Sequence, residues 1–274
     1  MSVLEAIVLG IVQGLTEFLP ISSTAHLRIV PAFVGWEDPG AAFTAVVQLG
    51  TMAAVVLYFR RDLIRIGTAW LRSLRDRAVR RTLDARLGWY IVLGTIPIGI
   101  FGLAFKDPIE NGARDLYLIS IALIVFGLVL LAAEEVGRKY RSIEQMNRRD
   151  GIFIGIWQAF ALVPGVSRSG ATISAGLFRG LDRPSAARYS FLLSVPAVVL
   201  SGLFEFASIL DGSEDTQVGL GALAVSTVLA FVVGYWSIAF LLRYVARHST
   251  IVFVVYRLAL GALVLVLTAT GAIK

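Results

Sequence analysis

The sequence contains no cysteine and little charge, and both shortages restrict the kind of protein it encodes. Without cysteine there is no disulfide, iron–sulfur cluster or thiolate nucleophile. Only 16% of the 274 residues are charged and 57% are hydrophobic, whereas soluble domains average about 25% charged and about 45–50% apolar residues. This composition predicts an all-α integral membrane protein.

Long apolar runs predict the membrane architecture. Six stretches approach the roughly 20 residues that a helix needs to cross a bilayer: 41–59, 87–105, 116–134, 187–209, 218–242 and 250–272. Four others, at 3–16, 21–35, 151–163 and 170–180, are shorter or interrupted. Pro20 and Pro164–Gly165 separate the members of each short pair, which predicts two helical hairpins with unwound tips. We therefore predict a single membrane domain over residues 1–274, with six transmembrane helices and two re-entrant hairpins.

The two halves of the chain show the same order of segments. "GIVQGLTEFLPISS" (10–23) aligns with "GIWQAFALVPGVSRS" (155–169), so that Gln13 matches Gln158 and Pro20 matches Pro164. This predicts a duplication, with repeat one at about 1–136 and repeat two at about 151–274. Because each repeat contains three spans, an odd number, the two repeats are expected to have inverted topology.

The net charge of +6 is unevenly distributed. Loop 60–86 carries nine arginines, and residues 137–150 carry Arg138, Lys139, Arg141, Arg148 and Arg149. The intervening loops, 106–115 and 210–217, are mostly acidic. By the positive-inside rule both basic loops are cytoplasmic, so the first hairpin enters from outside and the second from the cytoplasm. Topology and anionic lipid account for the charge, and no nucleic-acid partner is expected.

The second tip, "PGVSRSGATIS" (164–174), has the composition of an anion site. Arg168 offers a planar charged fork suited to phosphate oxygens. Hydroxyls come from Ser167, Ser169 and Thr172, while Gly165 and Gly170 permit tight turns; a helix beginning near Gly170 would point free amides at the tip. The alternative is an ordinary turn with Arg168 reaching to the interface. Arg168 lies about 15–18 residues from each hairpin end, near the bilayer centre, where a charge indicates function.

The first tip, "QGLTEFLPISSTAH" (13–26), supplies a carboxylate and an imidazole, with further polar groups at Gln13, Ser22, Ser23 and Thr24. Gln13 and Glu17 share a helix face. Phosphoryl transfer to water needs a nucleophile, a group that moves protons and a cation that binds the phosphate. Ser23 or His26 is the candidate nucleophile, Glu17 the proton carrier and Arg168 the phosphate-binding cation. Helix capping by one of the hydroxyls, and a purely structural hydrogen bond at His26, are the alternatives. Arg257, in the last span, is a further buried charge with no partner evident from the sequence.

These two motifs resemble those of the undecaprenyl-diphosphatase family, also called bacitracin-resistance protein. That family's first motif is Glu/Gln-x-x-x-Glu followed by Ser-Ser-Thr and His, and its second is Pro-Gly-x-Ser-Arg-Ser. The resemblance implies that Glu17, Ser23, Thr24, His26, Ser167 and Arg168 belong to an active site. It also implies hydrolysis of undecaprenyl diphosphate to undecaprenyl phosphate and inorganic phosphate, which recycles the lipid carrier of wall polymers and confers bacitracin resistance.

The resemblance further implies a divalent cation, Mg²⁺ or Ca²⁺. Gln13 occupies a position where some members carry Glu, so Glu17 and the pyrophosphate oxygens of the substrate would have to hold the ion. The implied partners are undecaprenyl diphosphate, shorter prenyl diphosphates, membrane lipid and a second copy in a homodimer. The implied location is the bacterial cytoplasmic membrane, with the site open to the outer face.

The residues leave both mechanism and function class open. Ser23 is the first choice of nucleophile, with Glu17 or His26 taking its proton. In the rival schemes His26 attacks directly, or water attacks without a covalent intermediate. A transporter or flippase for an anionic lipid or small anion is the main alternative function, since inverted repeats and broken helices are typical of transporters. A scaffold for wall synthesis is a third.

Overall fold

The computed structural model describes residues 1–105, 114–210 and 219–273, without the side chains of residues 41, 201 and 203–210. These ranges contain eleven α-helices: α1 Val3–Thr16, α2 Ser23–Val34, α3 Gly40–Tyr58, α4 Arg60–Ser73, α5 Leu83–Ala104, α6 Leu116–Val136, α7 Arg148–Ala159, α8 Arg168–Phe178, α9 Arg183–Leu210, α10 Leu220–Val245 and α11 Ile251–Ala269. The predicted all-α class is therefore confirmed for the described part of the chain.

Each of the six predicted long stretches contains a long helix, namely α3, α5, α6, α9, α10 and α11. Four of these helices, α5, α6, α10 and α11, are individually long and apolar enough to cross a bilayer. A fifth span is counted if α3 and α4, which meet at a bend of 78°, are taken together. The protein is thus a multi-pass membrane protein.

The arginine-rich segment 60–86, predicted as a loop, contains helix α4 and a short 3-10 turn. Among its many arginines, residues at helical spacing face the protein interior. Leu63 packs on the core, Ile66 and Ser73 are buried, and the Trp70 ring contacts Trp89 of α5 edge-on. Apolar residues spaced three or four positions apart form the stripe by which an amphipathic helix packs. The dense positive charge occupies the other face.

The short pairs α1–α2 and α7–α8 are two helix–turn–helix units with matching ends. Capping boxes open α1, through Ser2 and Glu5, and α7, through Asn147 and Asp150. At the tips, Ser22 caps α2 and Ser167 caps α8, and both serines have positive φ, 75° and 71°. Helix α8 thus begins at Arg168, two residues before the predicted start. Such φ values are sparsely populated by non-glycine residues and tend to mark functional positions.

Each short unit packs on a helix from the other half of the chain. Helix α1 runs along α10, and α7 runs along α5; α3 also contacts α10, and α9 contacts α5. Close approach depends on small residues, because a Cβ atom on Gly155 of α7 would lie 2.3 Å from the Cα of Gly94 in α5. Because each short unit packs on a long helix of the other half, the two tips meet inside the bundle.

Ion pairs hold the predicted basic loop, 137–150, against the neighbouring helices. Buried Asp150 accepts hydrogen bonds from Arg141 at 2.6 Å and from Arg179 at 2.7 Å. Buried Glu134, at the end of α6, is held by Arg183 at 2.9 Å. Of the predicted acidic residues, Asp115 caps α6; Asp107, Glu110, Asp211, Glu214 and Asp215 lie outside the described residues.

Candidate active site

The carboxylate of Glu17 lies where the two tips meet, and it accepts four hydrogen bonds. Its Oε2 accepts from Gln13 Nε2 at 3.0 Å and from Ser23 Oγ at 2.6 Å. Its Oε1 accepts from Gln48 Nε2 at 3.1 Å and from the guanidinium of Arg168. The residue is only 8% exposed. A buried carboxylate with two donors on each oxygen is well satisfied as an anion.

The turn between α1 and α2 brings Ser23 beside Glu17. Helix α1 ends at Thr16, and Glu17 is its C-cap, with its N–H bonded to the carbonyl of Gln13. Pro20 prevents the helix from continuing. Helix α2 then starts at Ser23, while the neighbouring Ser22 caps it by accepting a bond from the Ala25 N–H. The capping alternative therefore holds for Ser22 and leaves the Ser23 hydroxyl free for Glu17.

Arg168 arrives from the second tip, 151 residues further along the chain, and forms an ion pair with Glu17. It is the first residue of α8, and its side chain is 15% exposed. Breaking a buried ion pair from one side costs several kcal/mol, about 3–5, because the other charge is left unpaired. The guanidinium and carboxylate therefore hold each other in place.

The hydroxyls of the second tip join it to the first. Ser167 Oγ caps the Gly170 N–H at 3.1 Å and lies 3.1 Å from Ser169 Oγ. Ser169 Oγ donates to the carbonyl of Leu19 at 3.0 Å. Both predicted serines thus flank Arg168, and Ser169 bonds directly to the opposite tip.

Two other predicted residues of this tip, Thr172 and Gly165, fix its backbone against neighbouring helices. Thr172 is fully buried; its hydroxyl donates to the Arg168 carbonyl at 2.7 Å and lies 2.6 Å from Ser190 Oγ on α9. Gly165 has φ +95°, and a Cβ there would lie 2.6 Å from the carbonyl oxygen of Ile119. Only glycine fits this backbone position.

In the first tip, Thr24 and His26 have hydrogen-bond partners other than Glu17. Thr24 Oγ1 lies 3.1 Å from Ser22 Oγ. His26 Nδ1 lies 2.7 Å from the Ser22 carbonyl, and His26 Nε2 lies 2.6 Å from the hydroxyl of Tyr256. Glu17, not His26, is therefore the hydrogen-bond partner of the Ser23 hydroxyl.

The partner of Arg257, which the sequence left open, is a set of four carbonyls. The fully buried guanidinium donates to Pro20 at 3.1 Å and to Gly165 at 2.8 Å, one residue from each tip. It also donates to Ala122 at 3.3 Å and Leu123 at 3.2 Å on α6. Arg257 thereby fastens both tips to α6 and α11.

A narrow cleft adjoins the ion pair, and its walls lie too close together to leave room for a water molecule. Half of its lining is polar, Glu17, Thr51, Arg168 and Ser194, and half is apolar, Phe18, Met52, Val55 and Val198. The charged pair therefore lies against a cleft lined equally by polar and apolar side chains.

Sequence reasoning missed Gln48, Tyr256 and the role of Arg257. The sequence signal that could have identified them is a polar residue within an apolar segment. Gln48 interrupts the apolar run of α3, and Tyr256–Arg257 interrupts that of α11. Polar and charged groups inside a membrane segment face the protein interior and are candidates for function.

The oxygen donors near Glu17 bear on the expected cation. Among the described residues, no group of three His, Cys, Asp or Glu side chains could hold a metal ion. Gln13 Oε1, however, is buried beside Glu17 and accepts no hydrogen bond from the described part of the chain. One carboxylate and one free amide oxygen suit Mg²⁺, which retains several waters and binds few protein ligands.

Comparison with known proteins places the chain in a family. The family model "Bacitracin resistance protein BacA" matches residues 6–263. An undecaprenyl-diphosphatase of Myxococcus xanthus (strain DK1622) is 55% identical over 271 residues, covering 99% of this chain and 91% of that protein. One from Nocardioides sp. (strain ATCC BAA-499 / JS614) is 56% identical over 270 residues, covering 98% of each. These matches confirm the resemblance drawn from the two motifs: the chain belongs to the family of the bacitracin resistance protein BacA.

Proposed function

We propose that this protein hydrolyses undecaprenyl diphosphate to undecaprenyl phosphate and inorganic phosphate, recycling the lipid carrier for wall polymers and conferring resistance to bacitracin. The observation that carries the proposal is the cluster around Glu17, where a hydroxyl and a guanidinium from opposite tips meet on one carboxylate. Similarity over nearly the whole chain to proteins named undecaprenyl-diphosphatase supports it.

Arg168 is the residue that recognises the diphosphate. Phosphate oxygens accept bidentate hydrogen bonds from a guanidinium, so a bound diphosphate competes with Glu17 for this side chain. The unpaired amides in the first turn of α8 and the hydroxyls of Ser167 and Ser169 lie on the same tip and add donors. The apolar side chains of Met52, Val55 and Val198 line the narrow cleft beside the ion pair, and they would have to move apart to take the first part of the prenyl chain.

Binding of the diphosphate in this way would prepare Glu17 as a base. When Arg168 turns to the phosphoryl oxygens, Glu17 loses its charged partner but keeps the hydrogen bond from Ser23. Ser23 Oγ attacks the terminal phosphorus, its proton passes to Glu17, and the bond to the bridging oxygen breaks. Undecaprenyl phosphate leaves with that electron pair. Arg168 stabilises the charge that spreads over the equatorial oxygens.

In the second half-reaction water attacks the phosphoserine. The water proton passes to Nε2 of His26, the P–Oγ bond breaks, and Oγ recovers the proton held by Glu17. Inorganic phosphate is released, and His26 loses the proton from Nε2 to solvent, which restores the starting enzyme. Attack by Ser23 is preferred to direct attack by His26, because the Ser23 hydroxyl is already hydrogen-bonded at 2.6 Å to the carboxylate that takes its proton.

The three schemes are separated by rapid quench with substrate labelled at the terminal phosphate. Label that survives acid on the protein supports Ser23 as the nucleophile, whereas an acid-labile phosphohistidine supports His26. Absence of protein-bound label supports direct attack by water.

A divalent cation fits the site through two protein oxygens, the carboxylate of Glu17 and the free Oε1 of Gln13. When bound, it would neutralise charge on the diphosphate. We propose that these two residues, with substrate oxygens and water, hold it.

The membrane arrangement is part of the proposal. We assign six transmembrane helices, two re-entrant hairpins and two inverted repeats, with the site open to the outer face. The packing of α1 on α10 and of α7 on α5 supports this assignment, as do the matched positive-φ serines of the two tips. Non-helical backbone at this depth is tolerated because it is buried in protein.

The test is phosphate release from farnesyl diphosphate by detergent-purified protein, with and without chelator. Glu17→Ala and Arg168→Ala should each lose activity, while Glu135→Ala and Arg65→Ala, at exposed positions, serve as controls of the same charge. Release that persists in Arg168→Ala would contradict the assigned site. No release by the wild type would favour a lipid or anion transporter instead.

A further inference from the structure

Tyr256 of α11 bonds to His26, whose protonated nitrogen is identified by its other hydrogen bond, to the backbone of Ser22. His26 Nδ1 lies 2.7 Å from the carbonyl oxygen of Ser22, which can only accept a hydrogen bond. Nδ1 is therefore the protonated nitrogen. In the neutral ring the lone pair is then on Nε2, where the Tyr256 hydroxyl donates at 2.6 Å.

Tyr256 also covers the imidazole from outside. The two rings are stacked, with centroids 5.6 Å apart and planes 7° from parallel. His26 is 6% exposed, whereas Tyr256 is 42% exposed. The phenol thus lies between the imidazole and the surface of the bundle, and it occupies the single basic atom of the ring.

Tyr256 is the neighbour of Arg257, which is fastened to both tips. Its backbone is therefore held relative to the first tip, and the hydroxyl reaches His26 from a fixed point on α11. Partners of this kind, which set the tautomer and orientation of a functional histidine, act through the histidine and need not touch the substrate.

We propose that Tyr256 is a positioning residue for His26. With the Nδ1 proton held by the Ser22 carbonyl, Tyr256 orients the ring and keeps the Nε2 lone pair in place until the water of the second half-reaction replaces the phenol hydroxyl. This inference rests on the proposed phosphatase function. It assigns Tyr256 to hydrolysis of the phosphoserine, in which Nε2 takes the water proton, and not to the attack by Ser23.

The first experiment reads the ring directly by ¹⁵N NMR. The chain has two histidines, so His248→Asn, at an exposed position, leaves one imidazole to observe. In detergent, the His248→Asn protein labelled in its imidazole nitrogens should show a protonated Nδ1 and a hydrogen-bonded, unprotonated Nε2. Adding Tyr256→Phe keeps the stacked ring but removes the hydroxyl, so the Nε2 resonance should move towards that of a free lone pair. An unchanged Nε2 resonance, or a proton on Nε2, overturns the proposal.

The second experiment tests the kinetic role. Tyr256→Phe should lower kcat by about tenfold, a part of the roughly 10²–10⁴ that acid–base catalysis contributes, with kcat/KM changed by less than about threefold, because the attack by Ser23 is unaffected and KM falls together with kcat. Phosphoserine trapped by acid quench in the steady state should increase, because its hydrolysis is slowed. A purely structural defect would lower kcat without raising the trapped fraction.

Tyr244→Phe is the matched control. Tyr244 stacks on His248 with centroids 4.7 Å apart, but His248 bonds to its backbone carbonyl and not to its hydroxyl. This variant should leave kcat and the phosphoserine level unchanged. Wild-type kcat or an unraised phosphoserine level in Tyr256→Phe overturns the proposal. A wild type that releases no phosphate overturns the proposed function itself, and the nitrogen spectrum still reports whether Tyr256 holds the ring.

Discussion

Glu17 and Arg168 are 151 positions apart in the chain, yet they form an ion pair where the two tips meet. Each comes from a different half and from a different kind of helix end: Glu17 caps the C-terminus of α1, and Arg168 opens α8. The pair is both a structural contact and the group that a diphosphate must separate. Because one ion pair serves both structure and substrate binding, we predict strong energetic coupling between Glu17 and Arg168.

The coupling can be measured with a double-mutant cycle. Arg168→Ala and Glu17→Gln should each lower kcat by at least about 10²-fold, because charge stabilisation and proton transfer both act in the transition state. The double variant should lose little more than the worse single variant, since groups acting as a unit are not additive. Phosphate release under saturating substrate measures all three. Losses that multiply independently would contradict the pairing.

Gln13 and Glu17 lie on one face of α1, but they should differ in their effects. Glu17→Ala removes the partner of Ser23 and Arg168, whereas Gln13→Ala removes one of four donors to that carboxylate. Gln13→Ala should therefore cost about tenfold in kcat, the lower end of what one hydrogen bond to a charged group contributes, about 1.5 kcal/mol. Its larger effect should be a raised Mg²⁺ requirement, measured by titrating the metal into chelator-treated protein. An unchanged requirement would remove Gln13 from the proposed cation site.

The sequence was informative where function depends on local order. Pro20 and Pro164 indicated the two tips, and the motifs around them contained Glu17, Ser23 and Arg168. It was uninformative where contacts depend on packing between distant helices: Tyr256 meets His26 across 230 positions, through the packing of α11 beside α6. No periodicity within α11 identifies that partner. Helix α4 was missed for another reason, because its charge density outweighed its apolar spacing.

Arg257 should be required for the assembly of the tips. Its removal leaves the carbonyls of Pro20 and Gly165 buried without donors, at a cost of about 1–3 kcal/mol each. Arg257→Gln should therefore lower the thermal unfolding temperature in detergent. Lysine cannot reach four acceptors with one ammonium, so Arg257→Lys should recover only part of the loss. Full recovery of the unfolding temperature in Arg257→Lys would show that the positive charge is required and the forked geometry of arginine is not. Arg65→Lys, at an exposed position, controls for the chemical change.

Asp38, in the segment between α2 and α3, should make stability depend on pH. It accepts a hydrogen bond from Arg114 Nε at 2.7 Å and lies 3.4 Å from Arg28 Nε, with its side chain 26% exposed. Partial burial raises the pKa of Asp38, but the hydrogen bonds and charge of Arg114 outweigh it, so the pKa lies below its ordinary value. A carboxyl with a lowered folded-state pKa stabilises the protein above its unfolded pKa, about 3.9, and loses that contribution as the pH falls through the folded value.

Asp38→Asn should therefore lower the unfolding temperature at pH 7, and the difference from wild type should shrink as the pH falls below about 4. Glu37→Gln, at the exposed neighbouring carboxylate, is the control and should leave the unfolding temperature unchanged at both pH values. Thermal unfolding in detergent across this range measures both variants. A difference between wild type and Asp38→Asn that stays constant down to strongly acidic pH would mean that the aspartate stabilises this segment through its shape, because the charge would by then be lost in both the folded and the unfolded protein.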